Sequence, residues 1–276
     1  MRALGARNGY AAARFEAELL LAHTLGISRA MLLARLADPI SPEDAAQFAG
    51  MVARRAQREP LAYIVGHQEF YGLDLIVDRR VLIPRPETEH VVEHALQALK
   101  KVPHPDAIIA DVGTGSGAIA LALARHTQRV RIIATDVSPD ALAVAQLNAA
   151  RLHLEDRIEF RNTDLLEGIQ VPLDVLTANL PYIPLERFAQ LPREIRDYEP
   201  RMATIAGLDG LSVIRRLLQQ LEAHVTRSSI VLLEISEEQG ESARELVQAT
   251  LPRAHVEIHK DLEGLDRVVE IRFASQ

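Results

Sequence analysis

The chain has 276 residues, enough for one large domain or for one domain with a smaller companion, and its 48% hydrophobic and 25% charged content is that of an ordinary soluble globular protein. Cysteine is absent, which excludes disulfides, a thiol nucleophile, iron–sulfur ligation and thiolate zinc, and fits a reducing cytoplasm. A net charge of −7 argues against nucleic acid as the main partner and leaves room only for a local basic patch, for which Arg54, Arg55 and Arg58 are candidates; no apolar run is long enough to span a membrane.

Arg14, Glu16 and Glu18 interrupt any signal-peptide core near the N-terminus. Residues 1 to about 66 read as helical. Phe15, Leu19, Ala22 and Leu25 fall on one helical face, Gly26 ends that helix, and Ser28 caps a short one through Leu36. Ser41-Pro42-Glu43-Asp44 starts a third, running to about Arg58: Ser caps, Pro takes the first position, and acids fill the first turn. At His67 the pattern changes. Glu69–Val77 alternates like a strand with Gly72 as a bend, and Val81-Leu82-Ile83 extends it, which predicts a hairpin over 67–83 that connects two domains. Pro84 to Glu89 is then a rigid lead-in to a helix ending near Lys100.

From Asp106 onward strands and helices alternate, the signature of a parallel sheet. Strands are expected at 107–112, 130–135, 157–160, 174–178, 230–235, 254–259 and 267–273. Helices are expected at 118–125, 139–152, 208–224 and 237–250. The last two strands are joined by the turn Asp261–Gly264 without a helix, so the final strand should run antiparallel. The fold class is therefore α/β. Its mostly parallel Rossmann-like sheet with an antiparallel last strand resembles the class I methyltransferase arrangement, here with a small helical N-terminal domain.

Two segments carry the chemistry. Gly113, Gly115 and Gly117 follow a strand and open a helix, with Thr114 and Ser116 between them. The spacing G-x-G-x-G differs from the dinucleotide G-x-G-x-x-G, and no hydride-transfer partner is apparent. Asp136 ends the next strand, where a carboxylate can accept from both hydroxyls of a ribose. Asp164, with Leu165, follows the third, where an adenine edge would lie. Asp111 precedes the loop and can orient it or meet an ammonium group. The set resembles a site for S-adenosylmethionine. The second segment, Asn179-Leu180-Pro181-Tyr182, follows the apolar run Leu173–Ala178. An amide nitrogen is a poor nucleophile because its lone pair is delocalised, so methylating it needs positioning and electrostatic help. Asn179 Oδ1 and the Leu180 carbonyl can accept the two N–H groups of such an amide, Tyr182 can stack on its plane, and Pro181 stiffens the turn.

With Glu59–Gly66, Glu69–Gly72, Leu82–Glu89, Asp136–Pro139, Glu199-Pro200 and Leu233-Glu234-Ile235 added to these, the chain resembles the peptide chain release factor glutamine methyltransferases, the PrmC/HemK family, over nearly its whole length. The resemblance implies methyl transfer from S-adenosylmethionine to the glutamine side-chain amide in the Gly-Gly-Gln loop of class-1 release factors, by a cytoplasmic and monomeric enzyme with no bound metal, no membrane contact and no direct nucleic-acid partner. It implies domains at 1–66, 67–83 and 84–276, with the first gripping the release factor. It places Arg85 and Glu87 with Asn179–Tyr182 on the acceptor side. Two features depart from the family. Leu180 stands where the family has Pro; if that position acts through its carbonyl, Leu180→Pro is nearly neutral. The N-terminus is also short, with the usual first helix reduced or absent.

Three competing readings follow from the residues. Enzymes that methylate exocyclic amines of adenine or cytosine share the Asn-x-Pro-Tyr arrangement. His90-Val91-Val92-Glu93-His94 spells the inverted zinc-protease signature H-x-x-E-H, but no third ligand stands out, and His255 and His259 read as surface strand residues. Leu25–Ser28 resembles a helix-turn-helix bend, but the second helix is mostly apolar where such a reader would need a basic one.

Overall fold

A computed structural model describes residues 2–102 and 106–273. Four helices come first: α1 (Arg2–Thr24), α2 (Arg29–Ala34), α3 (Pro42–Ala56) and α4 (Leu61–Val65). Ser28 and Ser41 cap α2 and α3 as their positions predict, each accepting a backbone N–H in the first turn. The first of them, α1, spans 23 residues. The basic trio is no free patch: Arg54 pairs with Glu59, Arg55 with Glu16 and Glu194, and Arg58 with Glu194.

The hairpin is β1 (His67–Phe70) and β2 (Leu73–Ile76), turning at Tyr71-Gly72. The expected extension through Val81–Ile83 is not a strand. Val81 and Ile83 are buried as alternation demands, but they pack against Ala62, Tyr63, Ala141 and Val144 rather than pairing in a sheet. The hairpin is also more than a connector. Phe70, Leu73 and Leu75 belong to one core cluster with residues of α5 (Glu89–Leu99) and the helix after the glycine loop.

Seven strands form the main sheet. In chain order the elements are β3 (Ile108–Val112), α6 (Ala118–His126), β4 (Arg131–Asp136), α7 (Pro139–Leu152), β5 (Ile158–Asn162), β6 (Leu173–Ala178), α8 (Arg193–Tyr198), α9 (Ser212–Leu221), β7 (Val225–Glu234), α10 (Gly240–Thr250), β8 (Ala254–Lys260) and β9 (Asp266–Phe273). The strand order is β5-β4-β3-β6-β7-β9-β8. Only β9 runs against the others, inserted between β7 and β8. The central strands are mostly apolar because helices cover both faces, and two large clusters of Ile, Val, Leu and Ala lie on either side. Chain direction reverses its walk across the sheet between β3 and β6, so a crevice opens outside their carboxyl ends. β7 starts five residues before the expected Ile230, because polar Thr226–Ser229 forms an irregularity that no apolar pattern announces; Ser229 Oγ donates to Leu173 O at 2.6 Å to hold it. α9 starts four residues later than expected, after Gly210 at φ +74.

Candidate functional site

The carboxyl ends of β3 to β7 line up five acid or amide side chains: Asp111, Asp136, Asp164, Asn179 and Glu234. A cavity of about 350 Å³ opens over the first four strands, lined by residues that include Gly113, Thr114, Gly115, Ser116, Asp136, Asp164, Leu165, Asn179, Leu180 and Pro181. A Cβ on Gly115 would meet nothing within 4 Å, so its backbone faces open space where a ligand can approach. Gly117 and Asp111 do not line the cavity. Gly117 instead caps α6 at φ +84, where a Cβ would press on Leu121 and Ala145 at 3.0 and 3.2 Å; it lets α6 approach α7.

Asp111 is fully buried and accepts from Thr114 Oγ1 at 2.6 Å and Thr177 Oγ1 at 2.9 Å. Burial pushes its carboxyl up to about 6, with the two hydroxyls opposing. Of its two sequence-level roles the geometry matches orientation of the loop. Asp136 accepts Gly115 N–H and Ser138 N–H, each at 2.9 Å, one on each oxygen. Both oxygens keep a lone pair for a ligand hydroxyl, and burial raises this carboxyl too. Asp164 is paired with Arg216 of α9, and Arg80 at the cavity edge with Asp78. The lining arginines are thus neutralised, which suits hydroxyls and an ammonium better than a pyrophosphate. Asn148 of α7, a residue the sequence pattern does not single out, donates to Ser116 O at 2.9 Å and exchanges hydrogen bonds with Ile76 N and O, tying the glycine loop to the hairpin.

Asn179 borders both this cavity and a smaller one of about 60 Å³, whose lining includes Leu82, Arg85, Tyr182, Ile195 and Glu199. Its Nδ2 donates to Thr88 Oγ1 at 2.9 Å, which leaves Oδ1 as the acceptor. Tyr182 lies in the small cavity, and burial, reinforced by the Glu234 charge, pushes its phenol well above the ordinary range. Gln239 Nε2 donates to Tyr182 O at 3.0 Å and fixes the turn. Arg85 Nη2 reaches both oxygens of buried Glu199 at 2.6 and 2.7 Å. Glu87 is exposed and lines neither cavity; its neighbour Thr88 is the buried residue there. Thr88, Glu199 and Glu234 are the contributors that motif reading does not assign, since each matters only through a partner far away in sequence.

Leu180 differs from the expectation that only its carbonyl matters. Its side chain is 4% exposed, sits in the second core cluster, and would lie 2.9 Å from a Cβ on Gly113. No hydrogen bond reaches its carbonyl among the described residues.

The histidines also differ. His259 is not a solitary surface residue: its ring stacks on His94 at 4.1 Å, and Glu270 completes a group whose ligand atoms lie within 4.8 Å of one another. The partner of His94 is therefore not His90. The Glu270 carboxylate is already engaged, by His259 Nε2 at 2.7 Å and by Arg272 at 2.5 Å.

Residues 2–66 match the PrmC N-terminal domain, and residues 89–204 match the ribosomal protein L11 methyltransferase (PrmA) family. Release factor glutamine methyltransferase of Moorella thermoacetica is 42% identical over 263 residues, covering 95% of this chain and 92% of that protein. The enzyme of the same name from Cereibacter sphaeroides is 40% identical over 258 residues, covering 94% and 90%. A methyltransferase from Pyrococcus furiosus shares the fold at a TM-score of 0.53 and 18% identity, over 83% of this chain and 100% of that one. No helix among the described residues is long and apolar enough to cross a membrane.

Proposed function

The chain belongs to the release factor glutamine methyltransferase family, and from that premise we propose that its two adjoining cavities carry methyl transfer from S-adenosylmethionine to the side-chain amide nitrogen of a release-factor glutamine. The single observation that carries the assignment of the site is Asn179: it stands between the cavities with Nδ2 committed to Thr88 and Oδ1 free to accept.

The larger cavity is the donor site. S-adenosylmethionine bound there supplies an electrophilic sulfonium methyl. Gly113 to Ser116 offer backbone at close range, Asp136 accepts the ribose hydroxyls, and Asp164 with Leu165 borders the base. Asp111 holds the loop through Thr114. The smaller cavity receives the glutamine side chain of the Gly-Gly-Gln loop. Asn179 Oδ1 accepts one amide N–H and the Leu180 carbonyl the other. These two acceptors fix the amide plane and favour the positive charge that develops on nitrogen. Tyr182 flanks that plane, and Arg85, locked to Glu199, shapes the wall. The proton departs to solvent after transfer.

The test is incubation of the protein with class-1 release factor and S-adenosylmethionine, followed by mass analysis. The expected result is one methyl on the Gly-Gly-Gln glutamine and none on a release factor with that glutamine substituted. Methylation of DNA or RNA with none on release factor would overturn the reading.

A further inference from the structure

One motif, H-x-x-E-H on α5, plays no part in this scheme. Its two histidines part company in the fold: His90 lies beside Glu93, at 3.5 Å, while His94 stacks on His259 of β8. Strands β8 and β9 pair antiparallel, with Glu257 directly opposite Glu270 and His259 diagonal to it. Residues two apart on a strand share a face, so Glu257, His259, Glu270 and Arg272 all stand on the face that meets His94. Like charges directly opposed across a strand pair are destabilising. Arg272 lies 2.5 Å from Glu270 and 3.5 Å from Glu257, one cation against two carboxylates. With neutral imidazoles the group is therefore net negative.

We propose that His94, His259 and Glu270 form a binding site for a divalent transition ion of the zinc class, which clamps α5 to the β8–β9 edge of the sheet. The site goes beyond methyl transfer and does not rest on it, since none of the three residues lines either cavity. Each offers one ligand atom, and these atoms lie within 4.8 Å of one another. A tetrahedral zinc ion with bonds of about 2.1 Å holds its ligand atoms about 3.4 Å apart. Reaching that spacing takes side-chain movements of about an ångström, well short of a backbone change. Two imidazoles and one carboxylate are a donor set that zinc accepts, with water in the fourth position. Both rings are only half-buried, so an ion can enter from solvent.

Binding asks for one rearrangement. The His259 Nε2–H group now donates to Glu270 Oε2 at 2.7 Å. With an ion between these two atoms, the ring proton moves to Nδ1, on the side of Glu257, whose Oε1 is 4.0 Å away. The carboxylate that opposes Glu270 across the strands then becomes the hydrogen-bond partner that orients a metal-bound imidazole. Arg272 stays on Glu270 Oε1 and leaves Oε2 to the ion. The two rings are stacked at 4.1 Å with 29° between their planes, so they already splay. Opening that angle brings their lone pairs toward a common point.

The test titrates Zn²⁺ into the chelator-treated full chain by calorimetry, with Co²⁺ as a spectroscopic stand-in and thermal unfolding run with and without Zn²⁺. Wild type should bind one ion per chain, unfold at a higher temperature when loaded, and give the visible absorption of a four-coordinate Co²⁺ site. His94→Ala and His259→Ala should each raise the Zn²⁺ Kd by more than about tenfold and remove the thermal shift, while His90→Ala leaves both unchanged. Glu270→Gln should weaken binding in the same way; should it fail to fold, the three histidine variants decide alone. No uptake by wild type overturns the proposal. So does uptake that survives in either His94→Ala or His259→Ala. Loss in His90→Ala equal to that in His94→Ala also overturns it, because the ion would then sit on α5 alone.

Discussion

Asn179 and Leu180 are neighbours with opposite relations to the core. Asn179 spends one side-chain group on Thr88 and keeps the other for the cavities. Asn179→Ala should therefore abolish measurable turnover while donor affinity, read by calorimetry, changes by less than about tenfold, since Asp136 and the glycine loop are untouched. Equal loss of both would make Asn179 chiefly a donor-site residue. Leu180 is buried against Gly113. Leu180→Ala should cost about 2–5 kcal/mol in chemical denaturation and loosen the donor loop. Motif reading finds Asn179, Tyr182 and Asp136 because each stands at a strand end with a chemically distinctive side chain. It gives no role to Thr88 or Glu234, although both lie in blocks that carry the resemblance, and it does not single out Asn148. Thr88 meets Asn179 across 91 positions and Asn148 meets Ile76 across 72, and no local pattern encodes such a meeting. Leu180 reads from sequence as a backbone position because nothing local shows the glycine it packs on.

At the scale of elements, caps and apolar periods make most boundaries legible. α7 begins at Pro139, as its Ser-Pro start predicts, and ends at Leu152, and the strands of the sheet core lie within one or two residues of expectation. Departures come where tertiary contacts decide: β7 begins in a polar stretch, α9 waits for a left-handed glycine, and Val81–Ile83 finds a helix instead of a strand. The start of α7 also separates two jobs of one residue. Ser138 Oγ accepts Ala141 N–H as the cap, while the Ser138 backbone N–H goes to Asp136 Oδ1. Ser138→Ala removes only the first. It should lower stability by about 1 kcal/mol in thermal or chemical unfolding, with donor affinity within about twofold. A large loss of donor affinity would show that the hydroxyl itself meets the ligand.

For the whole molecule the question is where the N-terminal unit ends. The composition changes at residue 66, but the packing divides earlier. Ala62 and Tyr63 of α4 share a buried cluster with Val77, Val81, Ile83, Ala141 and Val144, and Tyr63 Oη donates to Val81 O at 2.5 Å. Arg80 and Leu82, on either side of Val81, line the donor cavity. α4 is thus physically part of the catalytic body, and although α1 and α3 pack against α4, α1 to α3 reach the residues beyond it mainly through polar and ring contacts: Arg55 and Arg58 on Glu194, Tyr198 Oη on Gln57 O at 2.9 Å, and the His23 ring stacked on His67 at 5.8 Å. Partly exposed ion pairs of this kind contribute about 1 kcal/mol or less each, far below the loss of a buried aromatic, about 3–5 kcal/mol. A chain of residues 59–276 should therefore fold and bind S-adenosylmethionine, and lose methylation of release factor if α1 to α3 supply the grip. A chain of residues 67–276 should unfold at markedly lower denaturant and bind donor weakly, because its cut runs through the cluster that supports the cavity wall. Thermal unfolding and calorimetry on the two chains compare them directly. Equal stability would place the true boundary at 66, and retained methylation by residues 59–276 would remove α1 to α3 from substrate recognition.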